Sequence, residues 1–217
     1  MALKTLFLNC TLKKSPEVSN TEALINKAVK LYSELGVKSE ILRMIDYNIP
    51  FGISSDEGEG DEWPEILDKV RACNILIIGT PIWFGVRSSI AQLVIERLDG
   101  TYDEGDPETG QFPLYNKVAG VIVTGNEDGA HDAAGTTLFN LSHLGCVIPP
   151  NSDSYWVGTA GPGPSYIEAG GERHLYTNKT IRYLVNNTAF FARLMQDNPI
   201  PTNLKKLMAD AMEESDY

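Results

Sequence analysis

Leu3-Lys4-Thr5-Leu6-Phe7-Leu8-Asn9-Cys10-Thr11-Leu12-Lys13-Lys14-Ser15-Pro16-Glu17-Val18-Ser19-Asn20-Thr21-Glu22 is the stretch that decides how the chain is read. It opens on an apolar, strand-like run, Leu3 to Leu8. Downstream, Leu24, Ala28, Leu31 and Leu35 recur at helical spacing. A strand, a hydroxyl-rich loop and a capped helix N-terminus together form an anion site, because backbone N–H groups and the helix dipole converge there. Thr11, Ser15, Ser19 and Thr21 supply the hydroxyls, and Ser19 with Glu22 fits the capping box S-x-x-E. Neither G-x-x-x-x-G-K-[ST] nor G-x-G-x-x-G is present, so a P-loop and a dinucleotide fingerprint are both unsupported. The pattern fits a phosphate held by hydroxyls and amides. Taken alone, the same residues serve equally well as ordinary helix caps.

Outward from this turn, strand and helix patterns alternate. Lys38 to Met44 reads as a strand and Glu62 to Ala72 as a short helix, with an acidic, Gly-rich loop, Ser54 to Asp61, between them. Ile75-Leu76-Ile77-Ile78-Gly79 is a continuous apolar run, the mark of a parallel strand covered on both faces. Ser88 to Leu98 reads as a helix, Val118 to Thr124 as a strand, Ala130 to Leu144 as a helix and Cys146-Val147-Ile148 as the last strand. A helix from about Arg173 to Met195 closes the pattern. Five strands separated by helices predict an α/β three-layer sandwich, a parallel sheet with right-handed crossovers and helices on both faces. The length suits one domain over 1–217, with a core over 1–198 and a peripheral tail over 199–217. Two long segments, Gly100 to Asn116 and Pro149 to Gly171, lack periodicity, and loops of that length are usually functional or disordered.

Hydrophobic residues make up 42% of the chain, enough for a buried core. A net charge of −11 argues against nucleic-acid and anionic-lipid partners, which need a basic face. No apolar run is long enough to span a bilayer and the N-terminus lacks a signal-peptide pattern, so a cytoplasmic protein is expected. Cys10, Cys73 and Cys146 are scattered, which suits a reducing compartment and not a metal cluster. His131, His143 and His174 likewise lack metal-ligand spacing, so no metal is expected.

Ligands of open parallel sheets bind beyond the carboxyl ends of the strands, at the switch point. Three loops meet there. The first is the hydroxyl-rich turn. Thr80-Pro81-Ile82-Trp83-Phe84-Gly85 offers a flat apolar platform, and Thr124-Gly125-Asn126-Glu127-Asp128-Gly129-Ala130-His131 offers polar groups. A planar heterocycle carrying a phosphate fits that combination. Trp83 and Phe84 are alternatively core packing, and Glu127 and Asp128 a solvated first turn.

Gly79-Thr80-Pro81-Ile82-Trp83-Phe84-Gly85 followed by Gln92-Leu93-Val94-Ile95-Glu96-Arg97 resembles the second flavin loop and following helix of the NAD(P)H-dependent FMN reductases. This flavodoxin-like superfamily includes the flavodoxin-type quinone reductases. Leu8 to Lys13 and Ser19-Asn20-Thr21 are similar to its phosphate loop, although Cys10 and Leu12 stand where the family often has Gly and Pro. The loops favour the flavodoxin-like strand order 2-1-3-4-5, and the resemblance implies a bound FMN. Thr11, Ser19, Asn20 and Thr21 would hold the phosphate. Pro81, Ile82, Trp83, Phe84 and Gly85 would border the ribityl chain and ring. Asn126, Glu127, Asp128 and Gly129 would contact the ring edge, and Thr124 and Gly125 would also bind the cofactor. His131 lies beside that ring site, and no dedicated acid–base residue is required because the flavin carries the chemistry. The implied activity passes electrons from NAD(P)H through FMN to a quinone, free flavin or similar small acceptor, in a homodimer or homotetramer. A flavodoxin-type carrier and a flavin-free binding protein are the alternatives.

Overall fold

The computed structural model describes residues 2–161 and 163–215; Met1, Pro162 of the second long segment and the last two residues of the tail lie outside it. Strand β1 (Lys4–Asn9) leads through the hydroxyl-rich turn into helix α1 (Asn20–Glu34). Strand β2 (Lys38–Arg43), helix α2 (Trp63–Ala72), strand β3 (Ile75–Trp83) and a two-residue strand β4 (Val86–Arg87) follow. Helix α3 (Ser89–Asp99), strand β5 (Val118–Thr124), helix α4 (Ala130–His143), strand β6 (Asp153–Trp156) and helices α5 (Leu175–Asp197) and α6 (Leu204–Glu213) complete the order.

The sheet runs β2-β1-β3-β5-β6, all parallel, and β4 pairs antiparallel with β3. Counting only the parallel strands, this is the expected 2-1-3-4-5. Side chains alternate across the pleat, as a period of two requires. Leu6, Leu8, Leu76, Ile78, Val121 and Val123 point into a cluster with α2, α3 and α4. Phe7, Ile75, Ile77 and Ile122 point into the other, against α1 and α5. Both faces are therefore covered, which is why β3 and β5 read as unbroken apolar runs.

The fifth parallel strand is not where the apolar pattern predicts it. Val147 makes only a single bridge to Val118, and Pro149-Pro150 then removes two backbone donors, so the ladder cannot continue. Asn151 turns the chain at φ 54°, and pairing resumes at Asp153–Trp156 against Val121–Thr124. This edge strand carries Ser154 and Tyr155 among its four residues, so hydrophobicity does not reveal it.

The two long segments are held by side chains. Glu104 accepts from Arg71, and Gln111 donates to the carbonyls of Ile200 and Thr202, tying 100–116 to the C-terminal tail. Helix α6 buries none of its residues. The acidic loop is fixed from inside: Arg97, fully buried, pairs with Asp61 at 2.6 Å and donates to the carbonyls of Ser54 and Pro50. Desolvation works against charge on Asp61, but the bonds it accepts outweigh that and hold its pKa below the usual carboxylate value.

Candidate functional site

The carboxyl ends of β1, β3 and β5 splay apart where the strand order reverses, leaving an open groove of about 660 Å³ counted out to its mouth. Each wall is a loop braced to its neighbours.

The first wall is the β1–α1 turn. Asn9 Oδ1 accepts from Thr11 N at 3.2 Å, while Asn9 Nδ2 donates to Glu22 at 3.0 Å. Arg43, at the end of β2, donates twice to Glu22 (3.1 and 2.6 Å) and reaches the carbonyls of Glu17 and Lys13 at 2.8 and 3.3 Å. Only half of the expected capping box therefore forms. Ser19 Oγ accepts from Glu22 N at 3.1 Å, but the Glu22 carboxylate turns to Asn9 and Arg43, whose charge attracts it more strongly than an amide. Ser15 donates from N and Oγ to Asp46. Desolvation opposes ionisation of Asp46, yet these bonds keep its pKa low. Asn20 and Thr21 open α1, whose first amides have no intrahelical partner. Thr21 Oγ1 meets Thr124 Oγ1 at 2.8 Å, joining the helix to the end of β5.

The second wall is the hairpin after β3. Phe84 (φ 49°) and Gly85 (φ 83°) are both left-handed, which makes a two-residue turn of the primed kind between Trp83 and Val86. Glu127 Oε1 accepts from Phe84 N at 3.1 Å. A Cβ on Gly129 would sit 2.1 Å from the Gly85 carbonyl oxygen, so the close approach of these two loops requires glycine. Ser88 caps α3 and donates to the Cys10 carbonyl at 2.7 Å, linking this wall to the first.

A flap made by residues 158–161 and 163–171 forms the third side. Asn126 Nδ2 donates to the Gly163 carbonyl at 2.8 Å, and Asn20 Oδ1 accepts from Ile167 N at 3.0 Å. The flap thus spans from the loop after β5 to the first turn of α1. Tyr166 packs edge-on against Trp156, with ring centroids 5.6 Å apart, and both are buried in the α1/α5 core.

Thr11, Asn20 and Thr21 line the groove, as do Pro81, Ile82 and Trp83. Thr124, Gly125, Asn126 and Glu127 line it too. Five of the sequence-selected residues do not. Ser19 is buried as the helix cap. Phe84 projects outward, 94% exposed. Gly85 and Gly129 make the inter-loop contact, and Asp128 lies beside them outside the lining. His131, on the first turn of α4, also lies outside it; its Nε2 meets the Tyr155 hydroxyl at 3.1 Å. That hydroxyl's bond to Tyr176 and burial push the Tyr155 pKa up to about 12. Cys10 is fully buried, and burial pushes its thiol pKa up, which makes it a spacer and not a nucleophile. Leu12, Lys13, Ser165 and Tyr166 are lining residues beyond those selected from sequence. The flap pair gives no periodic signal, because it is placed by two asparagine side chains distant in sequence.

The sheet order and the groove at its switch point define a flavodoxin-like α/β protein. A TM-score of 0.53 over 88% of this chain and 99% of an archaeal flavodoxin, at 9% identity, agrees on the fold. The chain belongs to the NADPH-dependent FMN reductase family, whose model matches residues 3–160. It is 48% identical to 8-demethyl-8-aminoriboflavin-5'-phosphate synthase of Streptomyces davaonensis, over 100% of this chain and 87% of that one. The crystal structure of RosB with a bound 8-demethyl-8-formylriboflavin-5'-phosphate intermediate superposes with a TM-score of 0.93, at 47% identity, covering 99% of this chain and 88% of that chain. The fold is thus that of a flavoenzyme family. No helix among the described residues is long and apolar enough to cross a membrane, and no cluster of metal-ligating side chains occurs among them.

Proposed function

We propose that the groove binds riboflavin 5'-phosphate and that the chain is an FMN-dependent oxidoreductase, taking electrons from NAD(P)H and delivering them to a small acceptor. The observation that carries this reading is one groove joining two different walls. Hydroxyls and helix amides of Thr11, Asn20 and Thr21 stand at one end; Pro81 and the half-exposed Trp83 stand at the other.

The residues fit the group. Unpartnered amides at the N-terminus of α1, with Lys13 beside them, suit a phosphate. Trp83 offers an aromatic face to a flat ring. The flavin, once bound, supplies hydride and electron chemistry that no side chain here provides. The protein's part is to hold it. Thr21 and Thr124 fix the floor of the groove, and Glu127 fixes the hairpin carrying Trp83. The open mouth leaves room for a donor and an acceptor to take turns. Association as a dimer or tetramer would give the exposed Phe84 tip a covering surface.

A second reading is favoured by the 48% identity to a synthase of a modified flavin phosphate. There the flavin is the substrate and leaves chemically altered. One experiment separates the readings. The full chain is incubated with FMN and NADPH without oxygen, absorbance is followed, and the flavin is recovered for mass spectrometry. Rapid bleaching with unchanged flavin mass supports the reductase. An altered flavin mass in a parallel aerobic incubation of FMN with an added amino donor supports the second reading. No bound flavin after reconstitution refutes both.

A further inference from the structure

Among the described residues lining the groove, one buried side-chain polar atom is left without a hydrogen-bond partner. Tyr166 lines the groove from the flap and is only 3% exposed, and its hydroxyl has no hydrogen-bond partner among the described residues. A buried hydroxyl left unbonded is destabilising, and such a group calls for an explanation. Its ring cannot readily move away: Trp156 packs against one side, and a Cβ on Gly171 would lie 2.3 Å from the ring on another. The next residue, Ile167, is bonded through its amide to Asn20, the first residue of α1. Tyr166 thus lines the same groove as Asn20 and Thr21, the first two residues of α1.

We propose that Tyr166 is a phosphate-recognition residue: its hydroxyl donates to the terminal phosphate of the bound flavin and so selects phosphorylated over unphosphorylated flavin. This rests on the flavin reading above and adds a residue from the flap, outside the β1–α1 turn. Burial raises the Tyr166 pKa to about 12, so the phenol keeps its proton at neutral pH and meets an anion as a donor. The flap then acts as a third support for the phosphate, alongside Thr11 and the first turn of α1. The structure also explains why the group is a tyrosine. Its ring serves the α1/α5 core whether or not ligand is present, while its hydroxyl serves only the ligand.

The test is Tyr166→Phe in the full chain, with dissociation constants for FMN and for riboflavin read from flavin fluorescence, and melting temperatures read without ligand and with inorganic phosphate. A hydrogen bond to a charged group predicts that FMN binding weakens roughly tenfold or more. Riboflavin binding stays unchanged, and so does the unliganded melting temperature, or it rises because an unpartnered hydroxyl is removed. Any stabilisation by phosphate shrinks. Unchanged FMN affinity overturns the inference and leaves the flavin reading standing. Equal weakening of FMN and riboflavin places the contact elsewhere on the ligand and overturns it too. A lowered unliganded melting temperature shows that the hydroxyl has a protein partner, which overturns it as well. A wild-type chain that binds neither flavin removes both this inference and the reading beneath it.

Discussion

Replacing Arg43 by Met should damage the groove without touching it. Arg43 lies at the end of β2 and does not line the groove, yet its guanidinium makes four hydrogen bonds that shape the β1–α1 turn. Two go to Glu22 and two to the carbonyls of Lys13 and Glu17, at either end of the loop. Hydrogen bonds to charged groups contribute roughly 1.5–3 kcal/mol where buried. Glu22 is about one-third exposed and Arg43 only 11%, so water re-solvates the carboxylate in part once the partner is lost. A net loss near the lower end, about 2 kcal/mol, is expected, equivalent to a fall of roughly 4–8 °C in Tm for a chain of this size. FMN affinity should drop about tenfold as well, because the ligand must then order the loop itself. Arg43→Lys should recover little, since an ammonium lacks the planar fork that bridges a carboxylate and two carbonyls. Urea denaturation and fluorescence titration measure the two effects together. Lost stability with FMN affinity intact would refute the claim that this brace preorganises the groove.

Further expectations follow from the same contacts. Ser19→Ala should lower stability by about 1 kcal/mol in urea melts while sparing FMN affinity, because its hydroxyl is the α1 cap; a selective loss of FMN binding would return Ser19 to the site. Arg97→Ala should cost about 3–5 kcal/mol, since it strands Asp61 in the interior. The pKa of Asp61 is depressed in the folded state, so the stability it supplies is present above the unfolded value near ~4 and lost as pH falls through the folded one; thermal melts from pH 7 to 3 should show the wild type converging on Asp61→Asn only at the acid end. Trp156→Ala should reduce stability by about 3–5 kcal/mol, because the side chain is core and not surface, with no change in assembly by light scattering. Light scattering on the wild type should give a dimer or tetramer, and a fully active monomer at micromolar concentration would refute that expectation.

The parts of the molecule legible in sequence are those where one physical signal acts alone. Ile75–Ile78 and Val118–Val123 are buried on both faces, so hydrophobicity by itself marks them. Leu24, Ala28 and Leu31 show α1 by spacing, and the loops after β1, β3 and β5 follow from the rule for parallel sheets. Two kinds of feature are hidden. The edge strand Asp153–Trp156 is half polar because Ser154 bonds Thr180 and Tyr155 faces His131, whereas the more apolar Cys146-Val147-Ile148 is cut off by Pro149-Pro150. The second kind is the long-range brace. Nothing near Arg43 announces that it holds residues 13–22, and nothing near Asn126 announces that it holds Gly163. Such bonds depend on which loops the sheet order brings together, and local pattern carries no trace of them. For the same reason Phe84 reads as a ring contact in sequence, although its left-handed backbone at the hairpin tip turns the side chain outward.

The two asparagines that fasten the flap also line the groove, and this makes the protein a competitor for its own ligand. Asn20 Oδ1 and Asn126 Nδ2 each already hold a backbone group of 163–167. A ligand atom that recruits either one displaces a bond of the same kind, so the net gain is a difference between two similar energies and falls near zero. Affinity is then decided by groups with no internal claimant: the first amides of α1, the face of Trp83 and the hydroxyl of Tyr166. Ligands that address those alone can bind with the flap closed, while any that reach for the asparagines must open it and will arrive and leave at the rate of that opening.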